Sequence, residues 1–268
     1  MKLAHRELGE GPSLIILHGL YGSSDNWLSI ARKLENHYHV FLVDQRNHGQ
    51  SPHHPVHDFT ALCDDLDEFI QDQRIDKAIL LGHSMGGKTA MFYAVCHPEK
   101  VNALIVVDIS PRTYQVREGS GTSFQMHKKM MEAMLNLDLK TFSSREEVMK
   151  ALKPTIPSKR TRQFLLKNLA RYNNNGFKWK INLPVLYKQL PNILKGLDSY
   201  SVLKDRQITS IPVLFIRGEN SEYITEEDIL IIQKHFPYAE VVTSPGTGHW
   251  LHAEQPDFFV TKILDFLG

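Results

Sequence analysis

The sequence predicts the α/β class: a mostly parallel, twisted sheet flanked by helices, with a helical cap inserted in the middle of the chain. Three observations carry this expectation. Short apolar runs alternate with longer amphipathic stretches, the pattern of strands buried in a parallel sheet between helical layers. The 268 residues are 42% apolar and 23% charged, enough for a sizeable core and unlike a disordered or fibrous chain. Residues 112–206 drop the strand pattern and carry 19 Lys and Arg against 7 Asp and Glu, whereas the whole chain nets only +1. The middle of the chain is thus a separate electrostatic unit.

The elements follow in order. Apolar runs at 14–18 and 40–44 read as strands. Over 58–73, Phe59, Leu62, Leu66, Phe69 and Ile70 recur at helical spacing with acids opposite, which predicts an amphipathic helix. A strand at 78–82, a helix at 85–97 and a strand at 101–108 come next. Helical patterns then cover 123–137, 145–153, 159–172 and 183–195 with no convincing buried strand. A polar turn at 173–176 and Pro154, Pro157, Pro184 and Pro191 act as connectors. Strands at 213–217 and 240–243 and a helix at 253–267 resume the first rhythm. The expected organisation is a core of 1–111 and 206–268 with a cap, or lid, of 112–205. No internal repeat and no low-complexity tract interrupts it.

Several function classes are excluded. Cys63 and Cys96 are the two cysteines, far apart and without zinc spacing, so a reducing, cytoplasmic setting is expected. No leader-like apolar segment stands at the start, and no run reaches the roughly 18 apolar residues of a membrane span, so a soluble chain without membrane insertion is expected. The basic residues scatter over several helices without a binding motif, so no nucleic-acid partner is expected. His53, His54 and His57 cluster, but Pro52 and Pro55 mark an extended loop with no carboxylate at ligand spacing, which speaks against metal. Neither metal nor organic cofactor is called for.

Gly82-His83-Ser84-Met85-Gly86 carries the chemistry. An apolar strand enters it and helix-forming residues leave it, so Ser84 sits on a sharp strand-to-helix turn that lifts its hydroxyl clear of the sheet. A serine hydroxyl is a weak nucleophile and needs a base, itself oriented by an acid. His249 lies in a glycine-rich loop between the last strand and the last helix, where an imidazole reaches the C-terminal edge of the sheet. Negative charge developing on an attacked carbonyl needs preorganised N–H donors. The amides of Leu20, in His18-Gly19-Leu20-Tyr21-Gly22, and of Met85 suit that task. His18 reads as a structural residue under the loop.

These motifs, with Asp44-Gln-Arg46-Asn-His48-Gly49-Gln-Ser51, resemble the α/β-hydrolase superfamily over nearly the whole chain. His18-Gly-Leu-Tyr-Gly-Ser-Ser-Asp-Asn-Trp27, Gly82-His-Ser-Met-Gly-Gly-Lys-Thr-Ala-Met91, Val107-Asp-Ile-Ser-Pro111 and Ile216-Arg-Gly-Glu-Asn-Ser221 look like the YbfF-type esterases and related abhydrolase-domain proteins. The resemblance implies a serine hydrolase acting on short to medium acyl esters or thioesters. In most of the superfamily the acid closes a G-x-x-D segment, which here reads Gly218-Glu219-Asn220-Ser221. Asp108 is the expected replacement, because it ends the strand beside the one feeding the turn, about 4.8 Å across the sheet. The YbfF likeness points the same way. Glu222 and Glu219 are the alternatives.

The expected activity is therefore a serine carboxylesterase working through an acyl-enzyme on Ser84, with a small-molecule ester as partner. Alternatives are an acyl-CoA thioesterase whose basic cap binds the phosphates, a carbon–carbon bond hydrolase, and a non-catalytic ligand-binding protein. Tyr21 and Trp250 flank the two loops as candidate substrate-binding residues. Lys88 reads as a surface or lid contact, and 44–51 as a rigid loop beside the site. Phe124, Met126, Met130, Met131 and Met134 either cover an acyl chain or pack the lid on the core.

Overall fold

A computed structural model describes residues 1–114, 123–172 and 176–268. In chain order the elements are β1 (His5–Leu8), β2 (Ser13–Leu17), α1 (Leu28–Leu34), β3 (His39–Val43), α2 (Phe59–Asp72), β4 (Ala78–His83), α3 (Met85–Cys96) and β5 (Val101–Val107). They continue with α4 (Ser123–Leu135), α5 (Arg145–Leu152), α6 (Lys159–Leu166), β6 (Leu169–Arg171), β7 (Phe177–Trp179) and α7 (Leu183–Ile193). The last are β8 (Val213–Gly218), α8 (Glu226–His235), β9 (Glu240–Ser244), α9 (Leu251–Glu254) and α10 (Pro256–Leu267).

Seven strands form one sheet in the order β1-β3-β2-β4-β5-β8-β9, parallel except for β1, which runs antiparallel along β3. Alternate residues of the central strands serve opposite faces. Ile15, Leu17, Leu80, Val106 and Phe215 pack beneath α2 and α3. Leu14, Ile16, Leu81, Ile105 and Ile216 meet Ile30 and Leu34 of α1 and Phe259 and Ile263 of α10. The apolar runs at the sheet centre are therefore continuous because both faces are covered. Asp58 caps α2 by accepting the Ala61 amide at 2.9 Å.

Three expectations need correction. β1 escapes the apolar pattern because its residues, His-Arg-Glu-Leu, are only partly buried on an edge. The helix expected over 253–267 is two helices, since Pro256 lacks an N–H and opens α10 as its first residue. The helix expected over 159–172 ends at Leu166, and the chain then pairs β6 with β7, Leu169 opposite Trp179. The region expected to lack a buried strand thus holds a short, partly buried hairpin, tied to α4 by Trp179 Nε1 donating to the Met134 carbonyl at 3.2 Å. Of the polar turn expected at 173–176, residues 173–175 lie outside the described residues. α4 to α7 and this hairpin lie between β5 and β8 in the chain and add no strand to the main sheet. Among the described residues no helix is long and apolar enough to cross a membrane.

Candidate active site

The C-terminal ends of β2, β4, β5, β8 and β9 gather the predicted residues at one edge of the sheet, the usual ligand-binding edge of α/β proteins. Ser84 follows β4 with φ 52°, ψ −117°, a left-handed conformation that costs a non-glycine residue about 1–3 kcal/mol. The turn holds because the residues two positions before and after Ser84, Gly82 and Gly86, carry no side chain. A Cβ on Gly82 would lie 2.2 Å from the Gly86 carbonyl oxygen, and one on Gly86 2.2 Å from that of Leu17. The Ser84 amide donates to Val107 on β5 at 3.0 Å, which fixes the residue against the neighbouring strand.

Asp108, directly after β5, repeats the device with φ 50°. Register places His83 opposite Val107, so Ser84 and Asp108 leave adjacent strand ends. Asp108 is fully buried, and its carboxylate is fed by three donors. Oδ1 accepts the Gly218 amide at 3.0 Å, Oδ2 accepts the Ser221 hydroxyl, and Oδ2 lies 2.7 Å from His249 Nδ1. Glu219 is exposed and receives the Gly246 amide at 2.7 Å, while Glu222 is exposed. The carboxylate that meets His249 is therefore Asp108. Ser221, the serine in the G-x-x-D slot, has a partner that the sequence did not suggest. His249 is further fixed from two sides. His83 Nε2 donates to its carbonyl at 2.8 Å, and the Tyr223 ring stacks on the imidazole at 4.0 Å between centroids. Burial holds the His83 pKa well below its ordinary value, so that ring is a neutral donor.

The loop after β2 lies against Ser84. A Cβ on Gly19 would come within 3.1 Å of the Ser84 Cβ. His18 Nε2 accepts the Gln45 amide at 3.0 Å, which leaves its proton on Nδ1, 2.9 Å from the Gly19 carbonyl. The same carbonyl accepts the Gly22 amide at 2.9 Å. Held on its oxygen side, the Gly19–Leu20 peptide turns its N–H the other way. The Leu20 and Met85 amides donate to no acceptor among the described residues. The 44–51 segment supports this loop. Asp44 accepts the Ser24 and Gln50 amides at 2.6 and 2.8 Å, Arg46 forms a buried bidentate pair with Asp65, and His48 Nε2 accepts the Tyr21 amide at 3.3 Å.

Ser84, His249, Leu20, Tyr21 and Trp250 line one cavity of about 420 Å³, closed by residues of α4, α6 and the segment 155–158. That is within the roughly 300–1,000 Å³ of small-molecule sites. Met126 and Met130 line it, whereas Met131 and Met134 are fully buried in the core, so the methionine stripe divides between cavity wall and core packing. Tyr21 is gripped from the insertion: Asn168 Nδ2 donates to its carbonyl at 2.6 Å, and its hydroxyl meets His127 Nδ1 at 3.2 Å. Neither Asn168, His127 nor Tyr223 carries a sequence motif.

Lys88, expected as a surface or lid contact, is the second and not the first. It is 1% exposed, and its ammonium donates to the carbonyls of Arg112, Leu194 and Lys195 at 3.0, 3.0 and 2.5 Å. It clips both roots of the insertion to the helix that begins beside Ser84. The 53–57 histidines are spent on other partners. His53 meets the Lys180 carbonyl at 3.0 Å, His54 Nδ1 accepts the Val56 amide at 3.1 Å, and His57 lies between Asn47 and Met85. Burial lowers the His57 pKa to about 3. Among the described residues no group of three or more His, Cys, Asp or Glu is arranged to hold a metal.

Residues 12–256 match the family defined by the α/β-hydrolase fold. Over 262 residues the chain is 36% identical to a zebrafish (Danio rerio) protein named as an sn-1-specific diacylglycerol lipase, covering 97% of this chain and 79% of that one. It is 34% identical to the esterase YbfF of Escherichia coli, covering 95% and 92%. A marine microorganism esterase of known structure superposes with a TM-score of 0.92 at 43% identity, covering 99% of both chains. Sequence and three-dimensional likeness coincide over the same span, and the chain belongs to the α/β-hydrolase fold family.

Proposed function

We propose that the protein is a serine carboxylesterase, with Ser84 as nucleophile, His249 as general base and acid, Asp108 as the orienting carboxylate, and the Leu20 and Met85 amides as oxyanion donors. The observation that carries the reading is the 2.7 Å contact of His249 with a buried Asp108 beside a strained Ser84 in one cavity. The names borne by the relatives, esterases and a lipase, agree with it. Residues 1–111 and 206–268 act as the core and 112–205 as the cap that closes the cavity. The free thiols of Cys63 and Cys96 suit a reducing, cytoplasmic setting.

The reaction runs in two halves. His249 takes the Ser84 proton as Oγ bonds to the ester carbonyl carbon, and the oxyanion falls between the two amides. The carbon–oxygen bond to the alcohol then breaks as His249 returns that proton to the leaving oxygen. A water replaces the alcohol, loses its proton to His249 and adds to the acyl carbon. The bond to Ser84 breaks, the serine regains its proton and the acid departs. Ester and water become acid and alcohol, with no other reactant. A merely ligand-binding scaffold has no use for two strained residues, Ser84 and Asp108, at about 1–3 kcal/mol each.

The test is hydrolysis of p-nitrophenyl esters from acetate to laurate by wild type, Ser84→Ala and Asp108→Ala. Turnover best on short to medium chains, abolished by Ser84→Ala and nearly so by Asp108→Ala, is expected. Wild-type turnover that survives Ser84→Ala sinks the assignment.

A further inference from the structure

Polar groups in an apolar cavity bear a desolvation cost unless each finds a hydrogen-bond partner. Met126, Met130, Ile156, Phe164 and Leu165 give the wall its apolar character. Against them stands a bridge assembled from three parts of the chain: Tyr21 of the loop after β2, His127 of α4, and Tyr223 beyond β8. His127 Nδ1 lies 3.2 Å from the Tyr21 hydroxyl and His127 Nε2 3.2 Å from that of Tyr223.

Counting protons shows that the bridge is not closed on itself. Burial lowers the His127 pKa to about 4, so the imidazole is neutral at ordinary pH, with one N–H and one lone pair. It donates to one phenol and accepts from the other. The phenol that accepts keeps its own O–H, and Ser123, which also bonds Tyr223, adds a further hydroxyl proton. In either tautomer the cluster's four N–H and O–H protons serve three internal contacts, so one hydroxyl proton is left to offer, and the cluster carries no net charge. Such a group suits a neutral oxygen, a hydroxyl or ether, better than a carboxylate or an ammonium.

Position says which half of the substrate that oxygen belongs to. His249 returns its proton to the leaving oxygen, so the alcohol lies on the His249 side, and the Tyr223 ring covers that imidazole at 4.0 Å. The apolar remainder of the cavity is left for the acyl chain. We propose that Tyr21, His127 and Tyr223 form a recognition site for an oxygen on the alcohol half of the ester, so that the enzyme selects esters of hydroxylated alcohols over plain alkyl esters. This rests on the ester-hydrolase reading and adds to it a specificity that the Ser84, His249 and Asp108 set does not provide.

The experiment compares 2-hydroxyethyl butyrate with n-propyl butyrate, which differ by a hydroxyl in place of a methyl, by kcat/KM from acid release. Wild type is expected to favour the hydroxyethyl ester by about tenfold, the worth of one good hydrogen bond. His127→Leu should collapse that ratio and His127→Gln, which both donates and accepts, should restore part of it. Tyr21→Phe and Tyr223→Phe each delete one hydroxyl while keeping the ring, and at least one should lower the ratio. Equal wild-type turnover of the two esters, or a ratio unmoved in all these variants, overturns the proposal alone. No wild-type turnover of either ester overturns the ester reading and the proposal together.

Discussion

Ser221→Ala is the perturbation that probes the proposed acid, Asp108, most directly. The hydroxyl donates to Oδ2 of a fully buried Asp108, the same oxygen that lies 2.7 Å from His249 Nδ1. Deleting it leaves Asp108 with the Gly218 amide at 3.0 Å and the imidazole as donors. A hydrogen bond to a charged group contributes about 1.5–3 kcal/mol. In the proposed mechanism the carboxylate also holds the imidazolium that forms in the transition state, so most of that loss falls on the chemical step. At about 1.4 kcal/mol per factor of ten, kcat/KM on a p-nitrophenyl ester should fall about 10- to 100-fold, mainly in kcat, with KM little changed. Ser221→Thr, which keeps the hydroxyl, should recover much of the rate. A Ser221→Ala enzyme within about threefold of wild type would refute the reasoning and return Ser221 to a filler of the G-x-x-D slot.

Other consequences are as concrete. Asn168→Ala removes the donor at 2.6 Å to the Tyr21 carbonyl in a loop held at φ 63°, which should lower stability by about 1–3 kcal/mol and depress kcat; an unchanged kcat would show that the insertion does not set this loop. Gly86→Ala places a Cβ 2.2 and 2.6 Å from the Leu17 and His18 carbonyl oxygens, so the variant should fail to accumulate as folded protein, and a normal melting curve would contradict this. His57 and His252 are held neutral by burial with pKa values of about 3 against an ordinary 6.5. Between those values the unfolded chain binds more protons, so the stability they confer is complete above about pH 6.5 and declines as pH falls toward 3. By pH 5 each costs about 2 kcal/mol, together a large share of a typical 5–15 kcal/mol. Urea midpoints at pH 7 and pH 5 measure this, and equal midpoints would count against it.

What could be read in the sequence is what local physics dictates. Buried parallel strands must be apolar on both faces, so β2, β4, β5 and β8 announce themselves, while β1, an edge strand of His-Arg-Glu-Leu, does not. A strained turn needs Gly82 and Gly86, which makes Ser84 legible, and the adjacency of β4 and β5 makes Asp108 legible as the neighbouring strand end. Lys88 was legible as a lid contact but not as a buried one, because a lysine is rarely buried and its three carbonyl partners come from Arg112 and from Leu194 and Lys195, at opposite roots of the insertion. His127, Asn168 and Tyr223 were invisible for the same reason. None has a motif, and each matters only because packing of α4, the hairpin and the loop after β8 sets it over Tyr21 or His249. The division has a physical origin. Attack on a carbonyl requires fixed backbone geometry, which leaves glycines and a chain order in the sequence. Choice of substrate is made by side chains that converge from distant segments, and that convergence exists only once the chain has folded.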